Sequence, residues 1–126
     1  MSAIHRFGGT EQGELRWQDV LVRAYGPDNS GADRATRQIL VGNEEGSPHF
    51  HMRYFAVQHG GYTSLDQHEH DHGVYVLHGI ARVRLGDTEH EVHTGDIVYI
   101  SGNEVHQFFT VGDEPFGFLC VVPARR

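Results

Sequence analysis

The sequence predicts an all-β, antiparallel fold, and three observations carry that expectation. Sixteen glycines punctuate the 126 residues into short apolar segments, the spacing of strands and tight turns. No segment holds a helical period over three turns. One hairpin is also readable residue by residue. Ala81, Val83 and Leu85 alternate with Arg82 and Arg84, and Gly86-Asp87 is a two-residue turn that closes a tight hairpin. Folding about it sets Arg84 opposite Glu89 and Arg82 opposite Glu91 on one face. Val83 meets His90 and Ala81 meets Val92 on the other. A single register satisfies all four pairs.

The other elements follow in chain order. Residues 1–47 are the least patterned and read as an N-terminal arm carrying edge strands. Trp17–Tyr25 and Arg37–Val41 read as short strands, with loops at Pro27–Asp33 and Gly42–Pro48. Phe50–Gln58 reads as a strand ended by Gly60-Gly61, and Val74–Leu77 as one ended by Gly79. Ile97–Ile100, Gln107–Val111 and Phe116–Val122 complete the set, with Asp113-Glu114-Pro115 turning between the last two. Tyr54, Phe55, Tyr75, Phe108 and Phe118 are expected in the core. The length suits one domain, residues 1–126, with residues 50–123 as its barrel.

Composition narrows function. Asp and Glu number 17 against ten basic residues, all of them Arg. The acidic balance argues against nucleic acid and anionic membranes as partners, and the lack of Lys excludes Schiff-base catalysis. No apolar run is long enough to span a bilayer, and Met1–Thr10 lacks the pattern of a secretory signal. A single cysteine, Cys120, lies in an apolar run and reads as a buried core thiol. These features predict a cytoplasmic protein. No Ser-His-Asp or Cys-His nucleophile pattern and no phosphate-binding Gly loop is visible.

Eleven histidines are unusual for this length. Asp66-Gln67-His68-Glu69-His70-Asp71-His72 concentrates three of them beside a carboxylate. On a strand, alternate residues share a face, so Asp66, His68, His70 and His72 would converge. His106 follows after the hairpin. The letters alone leave two ligand sets open, one with His68 and His70, the other with His68 and His72. His49 and His51 also share a face and are expected at a pocket rim or the surface. His5, His59, His78, His90 and His93 are expected to be non-ligands.

The spacings resemble the two motifs of the cupin superfamily. In the first, G-x5-H-x-H-x3-E-x6-G, the positions fall on Gly60, Asp66, His68, His72 and Gly79. Asp66 replaces the usual first His, and His72 the usual Glu. In the second, G-x5-P-x-G-x2-H-x3-N, they fall on Gly95, Ser101, Asn103, His106 and Thr110. The resemblance covers about residues 50–123 and extends to small bacterial single-domain cupins, including the segment Met52-Arg53-Tyr54-Phe55. It implies an antiparallel double-stranded β-helix, the jelly-roll or cupin barrel. It also implies one divalent transition metal (Mn, Fe, Co, Ni, Cu or Zn) on His68, His72 and His106, with Asp66 as fourth ligand, direct or through water. His70 then lies beside the site as a proton carrier. The expected function is metal-dependent enzymology on a small oxygen-rich organic molecule, of dioxygenase, isomerase, lyase or decarboxylase type. A non-catalytic binding or sensing module and a purely structural metal barrel are the alternatives. Small cupins often pair, so a homodimer is expected.

Overall fold

The structure is a computed structural model, which describes residues 2–25 and 31–124. Eleven strands follow one another: β1 (Phe7–Glu11), β2 (Glu14–Trp17), β3 (Val22–Ala24), β4 (Asp33–Val41), β5 (Phe50–Tyr62), β6 (His72–His78), β7 (Ile80–Leu85), β8 (Thr88–Val92), β9 (Ile97–Ile100), β10 (His106–Val111) and β11 (Phe116–Pro123). A single 3-10 turn, Asn43–Glu45, lies between β4 and β5. All pairings are antiparallel. The main sheet runs β8-β7-β10-β5-β11-β6-β9, with β4 on β5 and β3 on β4. Because β5 bonds to β4, β10 and β11, the sheet curls about it into a barrel.

Alternation along β5 explains the two cores. Phe55 points into the barrel with Val76, Phe116 and Phe118, while Tyr54 and Ala56 point outward against Leu40. The barrel interior is filled by aromatic stacking. Phe118 lies 4.7 Å from Phe108 and 5.2 Å from Phe55, ring centre to ring centre, at low interplanar angles. Such pairs add to the area they bury. Tyr54 is fully buried on the outer side. Its hydroxyl accepts the Leu15 N–H and donates to His78 Nε2, because His78 Nδ1 is spent as a donor to the Pro115 carbonyl. Burial pushes the Tyr54 pKa up to about 12.

The hairpin register is as expected: Ala81↔Val92, Arg82↔Glu91, Val83↔His90 and Arg84↔Glu89. The positive φ falls on Gly86 at 63° and not on Asp87, the pattern of a turn with glycine at its first central position. The charges, however, pair diagonally. Arg82 Nε reaches Glu89 at 3.0 Å, while Arg84 turns back to the Gly86 carbonyl. Long side chains lean along the strand, and the diagonal partner is within their reach.

Other expectations are corrected. Trp17–Tyr25 is not one strand: it breaks at residues 18–21, where Asp19 has φ 62°. Trp17 ends the separate β1–β2 ribbon, which the sequence reading missed, and packs edge-on against Tyr54. Gln12-Gly13 turns that ribbon with positive φ at both residues, and Gln is a weak signal for such a turn. Gly60-Gly61 does not end β5. The pairs Asp33↔Tyr62 and Ala35↔Val57 enclose a bulge there, and Gly60 supplies its φ of 76°. Tyr75 is 45% exposed, since Val74 and Val76 take the inward positions. Part of the loop expected at Pro27–Asp33 lies outside the described residues, and Asp33 opens β4.

Two measurements should separate interior packing from surface charge. Phe116→Ala should lose about 3–5 kcal/mol of stability by urea denaturation. A double-mutant cycle on Arg82 and Glu89 should give a coupling of about 0–1 kcal/mol.

Candidate metal centre

The site is assembled by two loops. His72 opens β6 and His106 opens β10, and both are buried. Residues 67–71 are not a strand, contrary to the alternation expected for Asp66–His72; only Asp66 makes an isolated bridge, to His106. There the Asp66 N–H donates to the His106 carbonyl at 3.0 Å, and the His106 N–H donates to the Asp66 carbonyl at 2.9 Å. The Asn103 N–H donates to the His68 carbonyl, and Gln67 Nε2 to the Asn103 carbonyl at 2.8 Å. Asn103 stands where the second motif has glycine, and its φ is 67°. Asn tolerates that left-handed conformation, so the mismatch with the motif preserves the backbone.

The loops bring His68, His72 and His106 together, with one potential ligand atom from each lying within 4.8 Å of the others. His72 and His106 meet edge to face at 4.9 Å, and His68 lies 5.5 and 5.7 Å from them, ring centre to ring centre. His70 stacks on His68 and His72 at 4.9 Å but is outside the set of three. Asp66 is outside it as well. Its Oδ2 lies 3.8 Å from His68 Nε2 and accepts the Ser64 hydroxyl at 2.7 Å, while the Tyr25 hydroxyl, which donates to Ser64 Oγ, lies 3.4 Å from it. His51 lines the adjoining cleft, as expected for a rim histidine. Of the other histidines, His78 is held by Tyr54 and Pro115, and His5 by Glu45.

Neighbouring groups orient the rings. His106 Nδ1 donates to the Glu104 carbonyl at 2.9 Å, which leaves Nε2 as the nitrogen with a free lone pair. His72 Nδ1 faces the Cys120 Sγ at 3.5 Å, while its Nε2 is buried without a hydrogen-bond partner. A buried imidazole nitrogen left without a partner is costly, and coordination of a cation satisfies it. Nitrogen donors fixed by contacts at the opposite ring atom are the arrangement metal ligands require, so the residues fit a divalent ion. Burial, then the charges of His106 and His70, lower the His72 pKa to about 3. The ring is therefore neutral near pH 7, as a ligand must be.

Cys120 is buried, as expected, and burial raises its pKa. It nonetheless lines the pocket with the histidines, as do Tyr25, Arg53 and Phe108. The inner pocket, about 60 Å³, shares Tyr25, Arg53, Asp66 and His68 with an outer cleft of about 510 Å³. That cleft is large enough for a small organic molecule. Sequence reasoning missed Tyr25, Ser64, Arg37 and Arg53. The available signal was Arg53, which alternates with Phe55 on the inward face of an otherwise apolar strand.

The lowered His72 pKa sets a pH dependence for the chelator-treated protein. The unfolded chain takes up a proton below about pH 6.5 and the folded chain does not, so stability falls as pH drops. Urea denaturation at pH 7.5 and 5.5 should show a loss of about 1.4 kcal/mol that His72→Asn lacks.

Residues 53–122 match the cupin domain family. A 1-methylthio-D-xylulose 5-phosphate methylsulfurylase from Rhodospirillum rubrum is 38% identical over 116 residues, covering 91% of this chain and 73% of that protein. The crystal structure of a cupin-2 domain from Rhodospirillum rubrum, 38% identical, aligns 92% of this chain with 77% of its own at a TM-score of 0.81. The polyketide cyclase RemF from Streptomyces resistomycificus, 29% identical, aligns 100% of this chain with 81% of its own at a TM-score of 0.79. The family match spans more than half of the sequence, and the curled antiparallel sheet agrees with it: the chain belongs to the cupin domain family.

Proposed function

We propose that this cupin is a metal-dependent enzyme acting on a small, oxygen-rich organic molecule. His68, His72 and His106 hold one divalent transition ion, with Asp66 completing the set directly or through water. The observation that carries the reading is the convergence of three imidazoles, one with an orphaned buried nitrogen, on an inner pocket that shares His68 with the outer cleft. The ion, when bound, supplies Lewis acidity toward a carbonyl or hydroxyl oxygen. With no cysteine in the ligand set, the site differs from structural thiolate zinc centres.

The chain's own residues do the rest. The Phe55, Phe108 and Phe118 wall excludes water beneath the site. The Tyr25 hydroxyl, Ser64 Oγ and Asp66 Oδ2 form one hydrogen-bonded row, with 2.8 Å between the two hydroxyls. That row fixes the Asp66 carboxylate beside the reacting oxygen and relays a proton to or from Oδ2. His70, stacked over the ligand rings, carries protons between site and solvent. The relatives that support an enzymatic reading are a methylsulfurylase acting on 1-methylthio-D-xylulose 5-phosphate and a polyketide cyclase.

No helix among the described residues is long and apolar enough to cross a membrane. Residence in the cytoplasm and a homodimer belong to the same proposal. The buried free thiol suits a reducing compartment, and light scattering at micromolar concentration tests the dimer.

Elemental analysis of protein purified without an affinity tag should find about one transition ion per chain. His106→Ala should lose most of it, and His70→Ala should retain it while altering the pH profile of turnover. Absence of metal from the wild-type protein would overturn the reading. An assay with 1-methylthio-D-xylulose 5-phosphate and an oxygen-uptake screen then separate the reaction classes. Metal and ligand binding without turnover would favour a sensing module.

A further inference from the structure

The outer cleft carries a cluster of cations that the metal centre does not use. Arg23 and Arg37 stand directly opposite each other on β3 and β4. Arg37 pairs with Phe55 and Ile39 with Arg53 on β4 and β5, so Arg53 lies diagonal to Arg37 on the face of Phe55. All three arginines line the cleft. Like charges opposite one another on a sheet are destabilising, and a chain normally relieves them with carboxylates. Here it does not: among the described residues none of the three guanidiniums forms an ion pair. The Nε atoms of Arg37 and Arg53 are buried without hydrogen-bond partners, as is His51 Nε2 in the same cleft. Burial, then the charge of Arg53, lowers the Arg37 pKa, the response of a cation held without a counter-ion.

The carboxylates of the cleft are otherwise placed. Glu45 accepts from the Gly42 N–H and pairs with His5, and Asp66 is taken by Ser64 and Tyr25. Asp19 and Glu44 are exposed. The guanidiniums are instead backed by aromatic rings: Arg37 sits 5.9 Å from the Tyr25 ring centre and Arg53 5.1 Å from that of Phe55. Arg53 Nη2 donates to Cys120 Sγ at 3.5 Å, and stacking fixes each guanidinium plane and leaves its remaining N–H groups for a ligand. Arg53 also lines the inner pocket with His72 and His106, so it stands between the other two arginines and the histidine cluster.

We propose that Arg23, Arg37 and Arg53 form a phosphate-binding subsite that holds the phosphate monoester end of a substrate whose reacting end lies at His68, His72 and His106. A monoester carries a charge of about −1.5 to −2 near pH 7, which answers three cations better than a single carboxylate does. Forked N–H donors match its oxygens. The proposal rests on the metal-enzyme reading only for what the other end of the molecule does; phosphate capture stands by itself.

The test is calorimetric titration of the metal-loaded protein with inorganic phosphate, acetate, D-xylulose and D-xylulose 5-phosphate, with metal content measured on the same samples. Wild-type protein should bind phosphate and the sugar phosphate and bind acetate and the free sugar at least tenfold more weakly. A sugar phosphate tighter than inorganic phosphate identifies a substrate subsite; equal affinities overturn that role. Arg37→Gln, and the exposed-site variant Arg23→Gln, should each weaken phosphate binding about tenfold or more with metal content unchanged. Phosphate binding that survives both substitutions places the anion on the metal instead and overturns the proposal, as does a wild-type protein that binds acetate as well as phosphate. Loss of metal without loss of Arg-dependent phosphate binding would sink the metal reading and leave the subsite standing.

Discussion

Two backbone hydrogen bonds between Asp66 and His106 join segments 40 residues apart in sequence. Everything at the site is placed through them. His68 and His72 follow Asp66, and His106 is the bridge residue itself. The contacts of Asn103 with His68 and Gln67 extend the same seam by one loop on each side. A backbone seam resists slippage better than contacts between long side chains, because it fixes register without ordering extra rotors. The hairpin β7–β8 bridges the interval, and β10 returns along β7 to deliver His106 opposite Leu85.

The seam alone does not make imidazoles into ligands. Their donor state comes from what lies behind them. The Glu104 carbonyl and the Cys120 sulfur take one nitrogen each, and the buried aromatic wall keeps His72 neutral. The polar histidine layer sits directly on an apolar plug of phenylalanines. Fold stability and site chemistry are thus coupled through desolvation: the burial that packs the barrel also suppresses protonation of His72.

The arginines of β3, β4 and β5 run against the grain of that packing. The fold tolerates them because aromatic faces substitute for counter-ions, while buried Nε atoms remain unsatisfied. Local choices that oppose stability tend to concentrate where a ligand supplies the missing interaction. The inner pocket and the outer cleft share Arg53, Tyr25, Asp66 and His68 as lining, so the arginines and the histidines adjoin.

The sequence by itself determined most strands from Phe50 onward, though not the end of β5, and the hairpin register. The letters left His68 with His70 or with His72 open, and the resemblance to the family motifs pointed to His68, His72 and His106. Those depend on short-range alternation, on a two-residue turn and on fixed spacing between loops, all of which are written along the chain. Tertiary structure decided the rest. Asp66–His72 has the letters of an alternating strand, but its backbone is claimed by the seam to His106 and so forms a loop. Asn103 reads as a departure from the motif until its left-handed backbone is seen. Trp17–Tyr25 reads as one strand, yet packing of Trp17 on Tyr54 and of Tyr25 on Phe55 pulls its two ends to different layers. Arg23, Arg37 and Arg53 are scattered over 31 positions. Only the pairing of three strands sets them on one face, since which residues share a cleft is decided by cross-strand neighbours and not by distance along the chain.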